Sequence, residues 1–317
     1  MLVRISTFFT DQGKKGVEML LAPIVEIFCD IDDFCKSYSK KESGKRLPCR
    51  DKKTRNRTTL MSESELMTIL VLFHLSHYRT FKDFYLSCVL EDLSELFPKA
   101  VSYNRFVELT GRVLEPLTAY VLSKSGEKTN LYYIDSTKLV VCHNKRISGH
   151  QVFKGIAQRG YSSVGYFFGF KLHLAINQKG ELVSFCLTRG NESDLSVLSK
   201  LTKGLTGLLA GDKGYVSKKH EEELQKQNLK LITKLKKNMK EKVRTAFEKF
   251  FLAQRNLIET VIDQLKSICH IEHSRHRSPL NFLVNLVGGL AAYALKPRKP
   301  SIKNGKLLNK STELIPN

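Results

Sequence analysis

The sequence predicts an α/β protein: a mixed sheet flanked by helices, preceded by an all-helical module. Three observations carry this. Apolar residues recur at helical spacing up to about residue 122, then give way to short strand-like runs. A polar stretch with one glycine, residues 123–130, separates the two patterns. At 317 residues the chain is long enough for two domains, each with a proper core.

Residues 1–22 carry little pattern. Met19 precedes a cleaner helical run through Ile24, Ile27, Phe28, Ile31 and Phe34, so ordered structure is expected to begin there. Residues 36–57 hold ten Lys or Arg against Glu42 and Asp51, with Gly44 and Pro48, which reads as a basic loop. Ser62, three residues before Glu65, is a capping box, and Leu66, Ile69, Leu70 and Phe73 form the apolar face behind it. Thr80 and Asp83 repeat the start signal. Ser102 opens a further helix carrying Arg105, running to about Leu122 and bent at Pro116. Such helices make a compact module; a helix-turn-helix with the segment after Ser102 as reader is one reading, plain helical packing another.

Beyond residue 130 the pattern changes. Leu131–Val141 reads as a buried strand interrupted by Asp135, Tyr166–Ile176 as a second with alternation, and Glu181–Thr188 as a third after a Gln-Lys-Gly turn. A helix over 191–203 follows, then a short strand from Leu208 that ends at Asp212. Next come a helix over 220–227, a fifth strand over 229–235, and a helix from Arg255 to Lys266. Three strands, a helix, a strand, a helix, a strand and further helices is the order of a ribonuclease H-like fold. In that order the middle of the first strand and the end of the fourth lie side by side, so Asp135, Asp212 and Glu259 are expected to meet. On the last of these helices Arg255, Glu259, Ile262 and Lys266 share one sector, while Leu257, Ile258, Val261 and Leu265 share another. Taken alone, that is also the pattern of a surface helix with charge pairs. Ser278-Pro279 opens the final helix, and a basic disordered tail is expected over 297–317.

The formal net charge is +21, from 52 Lys+Arg against 31 Asp+Glu. That is the footprint of a phosphate-backbone partner. The charge is spread along the chain instead of lying on one amphipathic helix, and the late apolar run Phe282–Leu295 is short and interrupted by Asn285, so no membrane is expected. No signal peptide is evident, and seven cysteines without a C-x-x-C pair fit reduced thiols in the cytoplasm. Cys269, His270, His273 and His276 match no common zinc spacing. With DNA as partner, the expected division is an extension over 1–22, a helical DNA-binding module over 23–125, an α/β catalytic domain over 128–296, and the tail.

Three carboxylates suit phosphodiester chemistry. Two divalent ions can activate the attacking oxygen and stabilise the leaving one, and hard Mg²⁺ takes oxygen ligands, with Mn²⁺ as a substitute. On this reading Asp135 bridges two ions while Asp212 and Glu259 hold one each; the rival is three acids paired with Arg255, Lys171 or Lys213. From Ser136 to Gly180 there is no Asp or Glu, while Lys138, Lys145, Arg146, Lys154, Arg159, Lys171 and Lys179 are basic, with His143, His150 and His173 among them. A cationic stretch beside clustered acids fits a polyanion held at metal ions. Glycines 149, 155 and 160 make residues 142–163 read as a mobile loop, and the run from Lys234 to Arg244 is a further basic segment.

Ile134-Asp-Ser-Thr137, Gly169-Phe-Lys-Leu-His173, Gly211-Asp-Lys-Gly-Tyr215, Ile258-Glu-Thr260 and Arg275-His-Arg-Ser-Pro279 resemble the DDE transposases of bacterial insertion sequences, from about residue 24 to 300. The family's last-helix signature is Tyr, two residues, Arg, three residues, Glu, six residues, Lys. Arg255, Glu259 and Lys266 keep its spacing, and Leu252 stands where Tyr is expected. The resemblance implies a ribonuclease H-like core with Asp135, Asp212 and Glu259 catalytic, two Mg²⁺ ions and recognition of terminal inverted repeats and target DNA. It also implies a homo-oligomer on paired ends in a bacterial cytoplasm. Arg255, Lys266, Lys171, His173, Lys213, Arg105, Lys154 and Arg159 are the expected DNA contacts. The alternatives are a nuclease that does not join strands and an inactive DNA-binding derivative.

Overall fold

A computed structural model of the chain describes residues 15–43, 60–76, 78–162, 164–234, 245–272 and 276–302. The expectations for the rest of the two basic runs, for His273 and Arg275, and for the tail beyond 302 lie outside these residues. The chain divides into two compact units. One gathers the described residues up to Lys124 with Ile268–Ile271 and Ser278–Pro297; the other holds Ser125–Ser267, Glu272–Arg277 and the residues from Arg298.

The first unit is helical: α1 (Lys15–Ser43), α2 (Glu63–Leu75), α3 (Phe81–Asp83, running on as π-helix through Phe84–Asp92), α4 (Tyr103–Thr110), α5 (Leu114–Ser123) and α10 (Pro279–Leu295). Ser62 caps α2 by accepting from Glu65 N at 3.1 Å while its own N–H donates to Glu65 Oε2 at 2.6 Å. The break expected at Pro116 falls earlier, at a 3₁₀ turn over Gly111–Val113; Pro116 sits in the first turn of α5, where its missing N–H costs nothing. Helices α2 and α10 are buried on nearly every side, α10 from Phe282 to Tyr293. Gly288 and Gly289 allow this closeness. A Cβ on Gly288 would lie 3.1 Å from the His74 ring, and one on Gly289 would lie 2.4 Å from Ile271 Cγ2. The sequence reading placed α10 in the α/β domain. The structure groups it with the helices, because a helix apolar all round needs helices all round, and sequence distance does not reveal which ones.

The second unit is built on a six-stranded mixed sheet: β1 (Leu131–Cys142), β2 (Gln158–Ser162), β3 (Gly165–Asn177), β4 (Leu182–Arg189), β5 (Gly207–Gly211) and β6 (Leu229–Thr233). The order is β2-β3-β1-β5-β6, with β4 also on β3. β1, β3 and β4 are antiparallel neighbours, while β5 and β6 run parallel to β1. This is the expected ribonuclease H-like arrangement. The β3–β4 turn closes at Gly180, where φ of +70° suits a residue without Cβ. Strand β2 lies inside the segment the sequence presents as a loop; its glycine-broken run Gln-Arg-Gly-Tyr-Ser has no alternation to reveal it. The expected helix over 191–203 is shorter, a 3₁₀ turn at Asp194–Val197 followed by α6 (Leu198–Leu201).

The sheet's two faces are covered differently. Tyr132, Ile134 and Leu209 join Leu198, Leu201 and Leu224, from α6 and α7 (Lys218–Lys226), in one apolar cluster. On the other face Tyr133 meets Phe251 of α8 (Ala246–Ala253), ring centres 4.6 Å apart, and its hydroxyl donates to Phe251 O at 3.2 Å. Helix α9 (Asn256–Ser267) follows directly. Ile302 N donates to Gln178 O at 3.2 Å, so the start of the expected tail is bonded to the β3–β4 turn. No helix among the described residues is long and apolar enough to cross a membrane.

Candidate active site

Residues paired across a β-ladder point to the same face. Asp135 pairs with Leu174 and Ser136 with His173, so the aspartate and the histidine lie on opposite faces. In the parallel ladder Tyr133 pairs with Ala210. Two residues further on each strand come Asp135 and Asp212, the latter still extended at φ −78°, ψ 168°. The two aspartates therefore stand level on adjacent strands, where β5 has just ended.

Helix α9 buries Leu257, Ile258, Val261 and Leu265, and this sets Arg255 and Glu259 on its other side. Glu259 occupies the first turn, where the helix dipole favours an anion. Arg255 bridges the acids: Nη1 donates to Asp135 Oδ2 at 3.3 Å and Nη2 to Glu259 Oε1 at 2.6 Å. Its side chain is 17% exposed, that of Asp135 21% and that of Glu259 55%, so the pair grades from protein interior to solvent.

Burial pushes the Asp135 carboxyl up to about 6. The Ser136 N–H, which donates to Asp135 Oδ1 at 2.8 Å, and the Arg255 guanidinium oppose this, while the Asp212 and Glu259 charges add to it. Asp135 therefore senses the charges of both other acids. Hard carboxylate oxygens are the donor set a magnesium-sized ion requires, so the residue types fit. The guanidinium, however, holds the oxygens of Asp135 and Glu259 that such an ion would take. Among the described residues no three His, Cys, Asp or Glu side chains form a group that could hold a metal ion.

The other face of β1 carries a second polar group, centred on Asp194. Its Oδ1 accepts from Ser136 Oγ at 3.1 Å and from Lys171 Nζ at 3.2 Å, and His173 Nδ1 lies 3.7 Å away. Lys171 Nζ also donates to Glu192 O at 2.9 Å. His173 is fully buried, and burial holds it well below the usual imidazole range, at about 4. Its Nδ1 is a buried atom without a hydrogen-bond partner among the described residues. Sequence reasoning did not single out Asp194. The signal was a Ser-Asp pair in the loop four residues past β4, with Ser193 accepting from Leu195 N at 3.3 Å, and that pattern reads first as a helix cap.

The expected DNA contacts therefore separate. Arg255 lies among the acids. Lys266 is tied down by Lys138 O at 2.8 Å and Glu272 at 2.9 Å. Lys171 is held by Asp194, and His173 is out of a surface ligand's reach, which corrects its expected role. Lys154, Arg159 and Lys213 are exposed. Arg105, in the helical unit, pairs with Glu108 at 2.7 Å.

Residues 125–279 match the family model described as Transposase DDE domain. No curated protein matches the chain. Among solved structures the chain is similar to a piggyBac transposase in a synaptic complex with hairpin DNA. The identity is 12% and the TM-score 0.46, over 99% of this chain and 79% of that one.

Proposed function

Starting from a chain whose residues 125–279 match the Transposase DDE domain model, we propose that it cuts and joins DNA at the ends of an insertion sequence, using Asp135, Asp212 and Glu259. The observation that carries this is the position of Asp135: mid-sheet, level with Asp212, bridged to Glu259 by Arg255, and pushed up chiefly by burial, with a smaller push from both acids. A buried carboxylate with two more acids nearby is an arrangement that a divalent cation would neutralise.

Asp135, Asp212 and Glu259 would hold the Mg²⁺ ions, which when bound would supply an activated water and a stabilised leaving oxygen. The chain's own residues prepare for this. The Ser136 N–H fixes one oxygen of Asp135, and Asp194 fixes Ser136 from behind the sheet. Arg255 holds the remaining oxygens until a DNA phosphate draws its guanidinium away; a planar fork suits phosphate as well as carboxylate. The terminal inverted repeats and the target DNA are the substrates, and a homo-oligomer holds paired ends.

Asp135→Asn, Asp212→Asn and Glu259→Gln are each expected to lower Mg²⁺-dependent cleavage of a duplex carrying the element's ends by 10³-fold or more, with DNA binding retained. Full cleavage by any one variant removes that residue from the ligand set. Cleavage without strand transfer into a target plasmid would favour a nuclease instead.

A further inference from the structure

Away from the carboxylates, the second unit contains a cavity of about 720 Å³ lined by Cys142, His143, Lys145, Arg146, His150 and His276. Among the described residues no carboxylate lines it. Lys145 and Arg146 are exposed at its edge. His143 Nδ1 accepts from Lys145 N at 3.3 Å, which leaves its Nε2 as a donor. The His150 ring stacks on Phe153 with centres 5.6 Å apart, and its Nε2 is buried without a hydrogen-bond partner. The acid bonded to this end of β1, Glu272, accepts from Val140 N at 3.3 Å and is neutralised by Lys266 at 2.9 Å. Two cations and several imidazoles thus line one open space, with no carboxylate among the described residues that line it. The chemistry this receives is an anion with several acceptor oxygens.

We propose that this cavity holds the phosphodiester backbone of DNA at a second point, apart from the cleavage site. The proposal rests on the reading of the chain as a DNA-acting protein. It also fixes a spacing. Asp135 and Cys142 lie seven residues apart on β1. That is roughly 23 Å of strand, or roughly seven nucleotides of one DNA strand, so one substrate strand can reach both. Cations at the rim of an open cavity suit a chain passing through; a free phosphate would need them folded around it.

The test is binding of a fluorescent 30-base-pair duplex to the full chain in chelator, where no cleavage occurs, as a function of salt. Lys145→Ala/Arg146→Ala is expected to reduce the slope of log K against log salt by about 1.8, two phosphate contacts at about 0.9 each, and to weaken binding at least tenfold at low salt. Lys218→Ala/Lys219→Ala removes the same charge from exposed positions on α7 and is expected to change the slope by less than half as much. An unchanged slope in the first variant, or an equal fall in the second, overturns the site. So does tight binding of inorganic phosphate that the first variant abolishes while the DNA slope stays put, which would assign the cavity to a small anion. Metal-free binding does not depend on the three acids, so failure here and failure of the catalytic assignment are separate results.

Discussion

Burial and two neighbouring acids raise the Asp135 carboxyl from the ordinary aspartate range, near 3.9, to about 6. A carboxyl raised on folding costs stability once it ionises. The penalty is absent below about pH 4, grows as pH rises to about 6, and is fully present at pH 7. Asp135→Asn removes it, and the metal-free variant is expected to be about 1–2 kcal/mol more stable at pH 7, with no gain at pH 4. Thermal melts at the two pH values read this directly, and Mg²⁺ should raise the melting temperature of the parent but not of the variant. A melt unchanged or lowered at pH 7 would contradict the strain assigned to this residue. The opposite sign holds at His173: a folded value near 4 against about 6.5 unfolded makes it a source of acid lability as pH falls through that window. Asp135, Asp212 and Glu259 were legible from strand ends and helix spacing. That His173 is buried was not, because alternation shows which residues share a face and not what covers it.

At the scale of elements, two strands and a loop are tied through Asp194. It accepts from Ser136 of β1 and Lys171 of β3, and Lys171 reaches back to Glu192 in the same loop. Asp194→Ala leaves the Lys171 ammonium, 17% exposed, with one carbonyl partner. The expected cost is about 1–2 kcal/mol of stability. If Asp194 also positions Asp135 through Ser136, cleavage falls about tenfold while DNA affinity is kept, and Asp194→Glu recovers part of the rate at unchanged melting temperature. Equal cleavage in all three would reduce Asp194 to a structural tie. The strands β1, β3 and β4 were readable from apolar runs and a turn. Strand β2 was not, since its pairing to β3 is supplied by the partner strand and not by its own side chains.

Taken whole, the molecule is two units threaded by one chain that returns to the first after building the second. The return is made by α10, and its glycines are the point of least tolerance. Gly289→Leu would drive a side chain into Ile271 and the Cys269 carbonyl, at 2.4 and 3.1 Å from the first added carbon. A loss of about 1–3 kcal/mol in the melting of the helical unit is expected, read by hydrogen exchange of α2 and α10, with the sheet's protection unchanged. Uniform loss across both units would mean that they do not melt separately.

Local chemistry is written in the chain itself. Caps, strand periodicity, the excess of cations and the three acids follow from residue types and short spacings, because those effects act over one or two turns. What needed the folded molecule was every question of which surface faces which. It seated α10 among the helices, set Asp135 level with Asp212, threaded Arg255 between Asp135 and Glu259, and gathered Asp194 with His173 behind the sheet. Apart from the Arg255–Glu259 pair, which lies four positions apart and follows from helical spacing, these contacts join residues about twenty to well over a hundred positions apart, and nothing in the periodicity of either partner names the other.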